Sequence, residues 1–229
     1  MKKILFNDKF MLTEAVLSGR KTQTRRIVKR NQLFKRDPDG MWTDDEKDAW
    51  EKSGISESDF QSAEDMHNAF EWLKSHAPYK VGEEVAVAQS YKDAGLKPDA
   101  REIWTSKGTF IFEAPISSLA GWRNKMFTLS KLMPNRIRIT NVRVERLNEI
   151  SAEDCIKEGV VEVCVNNNQG NCLSHWEYNV PYTDNRGCTK ILRGMTPQEA
   201  YAALIDKISG RGTFESNPWV FVYDFELVK

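Results

Sequence analysis

Alternation of apolar and polar positions predicts several β-strands along this chain. The stretch NPWVFVYDFELVK places large apolar residues at every second position, which predicts a last strand with one buried face. In MPNRIRITNVRVERL the alternation slips near Thr140 to Val142, which predicts a long strand interrupted by a β-bulge. Shorter strands are predicted at Ile4 to Phe6, across residues 22–28, and in VGEEVAV after a glycine turn.

Helix signals occur at three places between these strands. Residues 10–18 carry apolar side chains on one side and are followed by Gly19, a residue typical of helix C-caps. Ser151 opens the segment SAEDCIKEG, which predicts one or two helical turns that end at Glu158. In TPQEAYAALIDKIS a capping threonine and a first-turn proline precede an apolar stripe, so this segment carries the clearest helix signal.

The order of the predicted elements indicates the fold class. This order predicts a mixed α+β domain with a curved or barrel-like sheet. It runs from a strand and a helix through a basic strand and several further strands to two helices and a last strand. Residues 1–229 are predicted to form one domain. Two additions are predicted within it: an acidic helical insertion at 37–78, and a long polar loop or lid at 161–195, which is rich in turn residues and has little periodicity.

Composition and charge narrow the classes of partner. The 229 residues contain 33 Lys and Arg against 33 Asp and Glu, so the chain has no global positive field and is not expected to bind duplex DNA. No apolar stretch is long enough to span a bilayer, and nothing near the N-terminus resembles a signal peptide. We therefore expect a cytoplasmic protein without a membrane partner.

The cysteines do not have the paired spacing that is typical of metal sites. Cys164, Cys172, His175 and Cys188 could together supply three sulfurs and one nitrogen to zinc, but their spacing is irregular. Free thiols are the simpler interpretation in a reducing compartment. We therefore expect neither a metal nor another cofactor.

The stretch SGRKTQTRR, which begins at residue 18, concentrates positive charge in a chain that is otherwise balanced. Arg20, Lys21, Arg25 and Arg26 lie within seven residues. Such crowding is electrostatically costly unless an anion or a chemical reaction uses it. A period of two across this segment places Thr24 and Arg26 on the same strand face.

Four stretches of the chain together resemble one known family. GRKTQTRR, VGEEVAV, RIRITNVRVERLNEISAEDCIKEG and NPWVFVYDFELV occur in the order found in the ASCH superfamily, and they are most similar to the larger ASCH-like proteins of phages and prophages. The family pattern G-x-K-x-x-E-x-R is met at Gly19, Lys21 and Arg26, whereas Thr24 occupies the position at which many members have Glu. The resemblance implies a PUA-like β-barrel.

A threonine at this position is similar to the small bacterial ASCH amidohydrolases that deacylate N(4)-acetylcytidine. The resemblance implies that Thr24 is the nucleophile, Lys21 its base, and Glu158 the group that protonates the leaving amine or orients the substrate. Arg26 or backbone N–H groups would then stabilise the oxyanion. The implied substrate is a modified cytidine or a related amide of a nucleobase.

The arginines beside Lys21 give its implied role a physical basis. A lysine acts as a base at neutral pH only if its pKa falls to roughly 7–8. Repulsion from Arg20, Arg25 and Arg26 acts in that direction. Together with Gly19, these three arginines form the implied substrate-binding set.

Two other functions would use the same residues. In an RNA-binding PUA-like module, Lys21, Arg25 and Arg26 would hold the phosphate backbone, and an ASCH-type ribonuclease would direct them at a phosphodiester. A hydrolase predicts that Lys21, Thr24 and Glu158 line one pocket of nucleoside size, whereas an RNA binder predicts an open basic groove. A second basic run with aromatic residues upstream could extend such a groove: Arg136, Arg138, Arg143 and Arg146, with Trp122 and Phe127.

Overall fold

The computed structural model describes residues 1–28, 71, 73–105, 108–165 and 175–228. The α-helices that it describes in full are α1 (Leu12–Leu17), α2 (Ala152–Lys157) and α3 (Pro197–Ser209). The β-strands are β1 (Lys3–Ile4), β2 (Gln23–Ile27), β3 (Glu84–Val87), β4 (Glu102–Thr105), β5 (Gly108–Ile111), β6 (Arg136–Arg146), β7 (Val161–Val165), β8 (His175–Thr183), β9 (Thr189–Gly194) and β10 (Trp219–Val228).

A five-stranded sheet in the order β1-β3-β6-β10-β2 forms the centre of the described structure. Strands β1 and β3 run parallel, and each other neighbouring pair is antiparallel. Because β2 pairs with β10, the basic N-terminal motif lies beside the C-terminal strand. The predicted mixed α+β class is confirmed.

Strands β1 and β2 form the two edges of this sheet. Within the described residues no backbone pairing joins them into a closed barrel. A side chain connects them instead, because Nη2 of Arg26 in β2 donates a hydrogen bond to the carbonyl oxygen of Leu5, 2.6 Å away, directly after β1. The two edges therefore lie within reach of one arginine side chain.

The predicted bulge in the long strand is confirmed. Asp224 of β10 pairs with Asn141, but the next residue, Phe225, pairs with Ile139. Thr140 is therefore the extra residue in β6, at the place where the alternation of apolar positions slips.

Helices α2 and α3 are confirmed together with their predicted N-cap residues, whereas α1 begins at Leu12 rather than at residue 10 and has Ser18, directly before Gly19, as its C-cap. The side chain of Ser151 accepts a hydrogen bond from the backbone N–H of Asp154 at the start of α2. Thr196 makes the equivalent bond with Glu199 at the start of α3, and a proline is the first residue of that helix. None of the helices in the described ranges is long and apolar enough to cross a membrane.

The last strand is more deeply buried than its alternation predicted. Residues 220–223 of β10 are all fully buried. Because successive side chains of a strand point to opposite faces, both faces are covered here rather than one. Tyr201 and Leu204 of α3 line the same pocket as Val220, whereas Tyr223 packs edge-on against Tyr79 with 5.3 Å between ring centroids. Side chains from other segments of the chain thus cover the second face of β10.

The segment 161–195 is not the long loop or lid that its polar composition predicted. Strands β7, β8 and β9 form a three-stranded antiparallel sheet there, and residues 166–174 lie outside the described structure. Val180 of β8 is fully buried in the main core, and Tyr182 packs against Phe10 with 5.7 Å between ring centroids. These apolar contacts come from a few positions among many polar ones, so the alternation is too weak to recognise in the sequence.

The predicted acidic helical insertion at 37–78 lies mostly outside the described residues. At its end, residues 71 and 73–75 are helical. Leu73 is buried in the main core, so this end of the segment is anchored to the sheet domain.

Candidate active site

Lys21 is fixed between α1 and α2. Its backbone N–H donates to the carbonyl of Ala15 in α1 (2.8 Å), and the N–H of Thr22 donates to the carbonyl of Lys157 at the end of α2 (3.0 Å). Lys21 is only 2% exposed. Its Nζ donates to Oε2 of Glu158 at 2.5 Å and to the backbone carbonyl of Glu158 at 2.7 Å. The two residues therefore form a buried pair.

Gly159 follows Glu158 in a backbone conformation that favours glycine. Its φ of +110° lies in the region that favours glycine. A Cβ at this position would lie 3.3 Å from Cδ2 of Leu12 and 3.8 Å from Cδ of Lys21. The positive φ, together with the tight contact that a side chain would make with Leu12, accounts for glycine at this position.

Arg25 connects this pair to two further carboxylates. Its Nη2 donates to Oε1 of Glu145 (2.5 Å) and to Oδ2 of Asp154 (2.9 Å). Its Nη1 donates to the side-chain oxygen of Gln23 and lies 3.4 Å from Oε1 of Glu158. Burial opposes the charge of Arg25, but the nearby acids, Glu158 above all, outweigh burial and raise the pKa of Arg25.

The crowding of cations in the motif is balanced by distant parts of the chain. The carboxylates that pair with Lys21 and Arg25 come from β6 and α2, at least 120 residues away in the sequence. Because these charges are buried together, each would be costly without its partner. The basic motif therefore forms part of a neutralised cluster inside the fold.

Burial lowers the pKa of Lys21 below its ordinary value of 10.5. Glu158 acts in the opposite direction through its charge and its hydrogen bond, whereas Arg26 and Arg25 lower the pKa further. Repulsion between neighbouring cations therefore contributes as the sequence predicted, but removal from water is the larger cause. Arg20, which was expected to add to this effect, is exposed.

Arg26 is positioned by the edge of the sheet. Its guanidinium lies over the ring of Phe6, 5.7 Å from the centroid, while its Nη2 donates to Leu5. Its Nε is buried and has no hydrogen-bond partner among the described residues. This N–H is thus a donor that a ligand oxygen could use.

A pocket of about 520 Å³ brings the candidate catalytic groups together. Its volume lies in the range of small-molecule sites. Thr24 is 4% exposed and lines this pocket, and no hydrogen bond joins its hydroxyl to Lys21 in the described structure. The apolar walls come from the N-terminal segment, β10 and α3, with Phe6, Val220 and Leu204 among them.

The predicted site residues fall into two groups. Gly19 and Arg20 lie at the surface outside the pocket lining, and Arg20 reaches only the carbonyl of Gly159 at 3.4 Å. The other predicted residues all line the pocket: Lys21, Thr24, Arg25, Arg26 and Glu158.

Sequence reasoning missed three polar residues of this region. Glu145 and Asp154 hold Arg25, and the available signal was that each acid lies near basic residues of β6 or α2. Tyr201 of α3 lines the pocket and is fully buried. Its helix was predicted, but no sequence signal pointed its side chain to Lys21 and Glu158.

The second basic run does not form a row of unpaired cations. Arg138 pairs with Glu226 (3.0 Å) and Glu84 (3.3 Å). Arg143 pairs with Asp154 at 3.2 Å. Acids on neighbouring elements thus neutralise much of this surface.

Two of the candidate zinc ligands lie far apart. Cys164 pairs across the sheet with Trp176 near one end of β8, while Cys188 immediately precedes β9 beyond the other end of β8. The intervening strand spans roughly 23 Å, so these thiols do not share one zinc ion. Cys172 and the side chain of His175 lie outside the described residues, and the described residues contain no group of three or more possible metal ligands.

Comparisons with known proteins give no relative from which a function could be transferred. No protein-family model matches the chain, and neither a curated protein nor a solved structure matches it. The chemistry of the pocket therefore rests on its own geometry.

Proposed function

We propose that this protein is an ASCH-type amidohydrolase, on a PUA-like fold, that removes an acyl group from a modified cytidine such as N(4)-acetylcytidine. The observation that carries the proposal is the convergence of Lys21, Thr24 and Glu158 on one pocket of small-molecule size. Amide cleavage needs a nucleophile, a base, an acid and an oxyanion donor. With Arg26 in the same lining, the pocket holds a candidate for each role.

The buried pair of Lys21 and Glu158 supplies both the base and the acid. Lys21 and Glu158 can share one proton in two ways, either as an ammonium beside a carboxylate or as an amine beside a carboxylic acid. Transfer of one proton along the 2.5 Å hydrogen bond converts the first form into the second. Burial lowers the pKa of Lys21, and this favours the form in which its amine is neutral.

In the acylation step, Nζ of neutral Lys21 accepts the hydroxyl proton of Thr24 while Oγ1 bonds to the acyl carbon. The bond between the acyl carbon and N4 of the cytosine breaks, and Glu158 gives its proton to N4. Arg26 donates through its unpaired Nε to the oxyanion. Without substrate, Nζ of Lys21 is hydrogen-bonded to Glu158 and not to Thr24. The hydrogen bond between Thr24 and Nζ forms when substrate fills the pocket, because catalytic hydrogen bonds often tighten only in the complex.

Water completes the turnover. Glu158, now a carboxylate, accepts a proton from the water that attacks the acyl ester. The ammonium of Lys21 returns its proton to the oxygen of Thr24 as the ester bond breaks. A carboxylic acid leaves, and the pair regains the uncharged form with which the cycle began.

The contacts of the basic residues favour this enzyme over an RNA-binding module or a ribonuclease. Lys21 is 2% exposed and Arg25 is 7% exposed, and both are already paired with acids. A phosphate would have to displace these buried carboxyl partners to reach either one. Binding of an RNA backbone instead uses exposed cations.

Incubation of the purified protein with N(4)-acetylcytidine, followed by chromatography, tests the proposal. We expect catalytic release of cytidine, while N(4)-methylcytidine, which has no acyl carbonyl, stays intact. Because the substrate is uncharged, turnover is expected to change little with salt, whereas RNA binding would weaken steeply. No cytidine from N(4)-acetylcytidine or from longer N(4)-acyl substrates would refute the proposal, and steeply salt-dependent RNA binding would then support the RNA-binding alternative.

The pH profile tests the shared proton. Because burial lowers the pKa of Lys21, the pair should lose its one proton below the ordinary lysine value of 10.5. Above that apparent pKa, which belongs to the pair, no proton is left for the leaving amine, so kcat/KM should fall. Arg26→Gln removes a cation that lowers the pKa of Lys21, so this falling limb should move to higher pH. A rate that keeps rising toward pH 10.5 would contradict the mechanism.

A further inference from the structure

Tyr201 places an unpaired hydroxyl in the candidate active site. The residue is fully buried, and its hydroxyl has no hydrogen-bond partner among the described residues. Its ring packs edge-on against Phe214, with 6.3 Å between centroids. Because Tyr201 also lines the pocket, its hydroxyl is a donor that a ligand oxygen could use.

We propose that the hydroxyl of Tyr201 donates a hydrogen bond to the acyl carbonyl oxygen of the substrate and, with Nε of Arg26, forms a two-donor oxyanion site. This inference rests on the proposed amidohydrolase function. Both donors are buried, both lack a partner in the described structure, and both residues line the same pocket. The paired donors select substrates that carry a carbonyl oxygen, and N(4)-alkyl cytidines lack that atom.

The surroundings of Tyr201 keep it a donor. Burial raises the pKa of its phenol well above the ordinary value. The group therefore stays protonated throughout the working range of pH. A phenol that cannot ionise is suited to stabilise a developing negative charge without competing for the proton of the Lys21 pair.

Tyr201→Phe tests the inference, and Tyr223→Phe is its matched control. Tyr223 is also a fully buried tyrosine, but it does not line the pocket. The hydroxyl of Tyr201 makes no hydrogen bond in the described structure, so Tyr201→Phe should melt at or above the wild-type temperature. We expect kcat for N(4)-acetylcytidine to fall about 100-fold in Tyr201→Phe and to remain unchanged in Tyr223→Phe.

The possible results separate this inference from the function on which it rests. Normal turnover by Tyr201→Phe would overturn the role of Tyr201 and leave the amidohydrolase standing. An equal loss in both variants would show a packing effect and would also overturn that role. No turnover by the wild-type protein would refute the proposed function, and the inference would fail with it.

Discussion

Thr24→Val is expected to lower kcat for N(4)-acetylcytidine by on the order of 10⁴-fold or more, because it removes the nucleophile. Valine has the shape and the β-branching of threonine, so β2 should form as before. The hydroxyl of Thr24 makes no hydrogen bond within the described structure that the change would break. Initial rates and a thermal melt of the same preparation measure the two effects separately.

Two matched variants make the test of Thr24 specific. Thr22→Val changes a threonine two residues away that does not line the pocket, and it should keep full activity. Thr24→Ser keeps a hydroxyl at the reacting position and should retain far more activity than Thr24→Val. Equal rates for Thr24→Val and the wild-type protein would show that another group, such as an activated water, attacks the amide.

The part of the site that lies within one short motif could be predicted from sequence. Lys21, Thr24 and Arg26 are near neighbours in the chain, and strand periodicity places Thr24 and Arg26 on one face. Glu158 was predicted through the family resemblance, and the structure places it 2.5 Å from Nζ of Lys21. Tyr201 could not be predicted in the same way, because the packing of α3 over the pocket depends on contacts between distant segments.

The electrostatics of the site could likewise be predicted only in part from the sequence. The sequence shows that Lys21 has cationic neighbours, and the direction of its pKa shift follows from that fact. It does not show that burial is the larger cause, because burial is a property of the folded chain. Nor does it show that Arg25 is bound by Glu145 and Asp154 rather than facing a substrate.

The fold was predictable where apolar periodicity is strong. Strands β6 and β10 and helix α3 have regular patterns, and even the bulge at Thr140 is visible as a slip in one of them. The sheet of β7, β8 and β9 was missed because few of its positions, such as Val180, contribute to the core. The approach of the two sheet edges could not be predicted from periodicity either, because it depends on a contact between Arg26 and Leu5, which are distant in the chain.

Arg25→Met is expected to cause the largest loss of stability among single changes at this site. The side chain of Arg25 is 1% exposed and pairs with Glu145, Asp154 and Glu158. Its removal leaves these carboxylates close together without their shared cation. Loss of one partner of a buried ion pair costs about 3–5 kcal/mol of the free energy of unfolding, and urea denaturation at neutral pH measures it.

Arg138→Met is the matched control, because Arg138 also pairs with two acids but its side chain is 46% exposed. Water already solvates these charges, so the change should cost less than about 1 kcal/mol. The loss of stability in Arg25→Lys should lie between those of the other two variants. Lysine keeps the positive charge but lacks the guanidinium group, which can bind several carboxylates at once. Similar urea midpoints for Arg25→Met and Arg138→Met would contradict the structural role of Arg25. Its cation would then remain available to a ligand in the pocket, as the sequence motif alone implied.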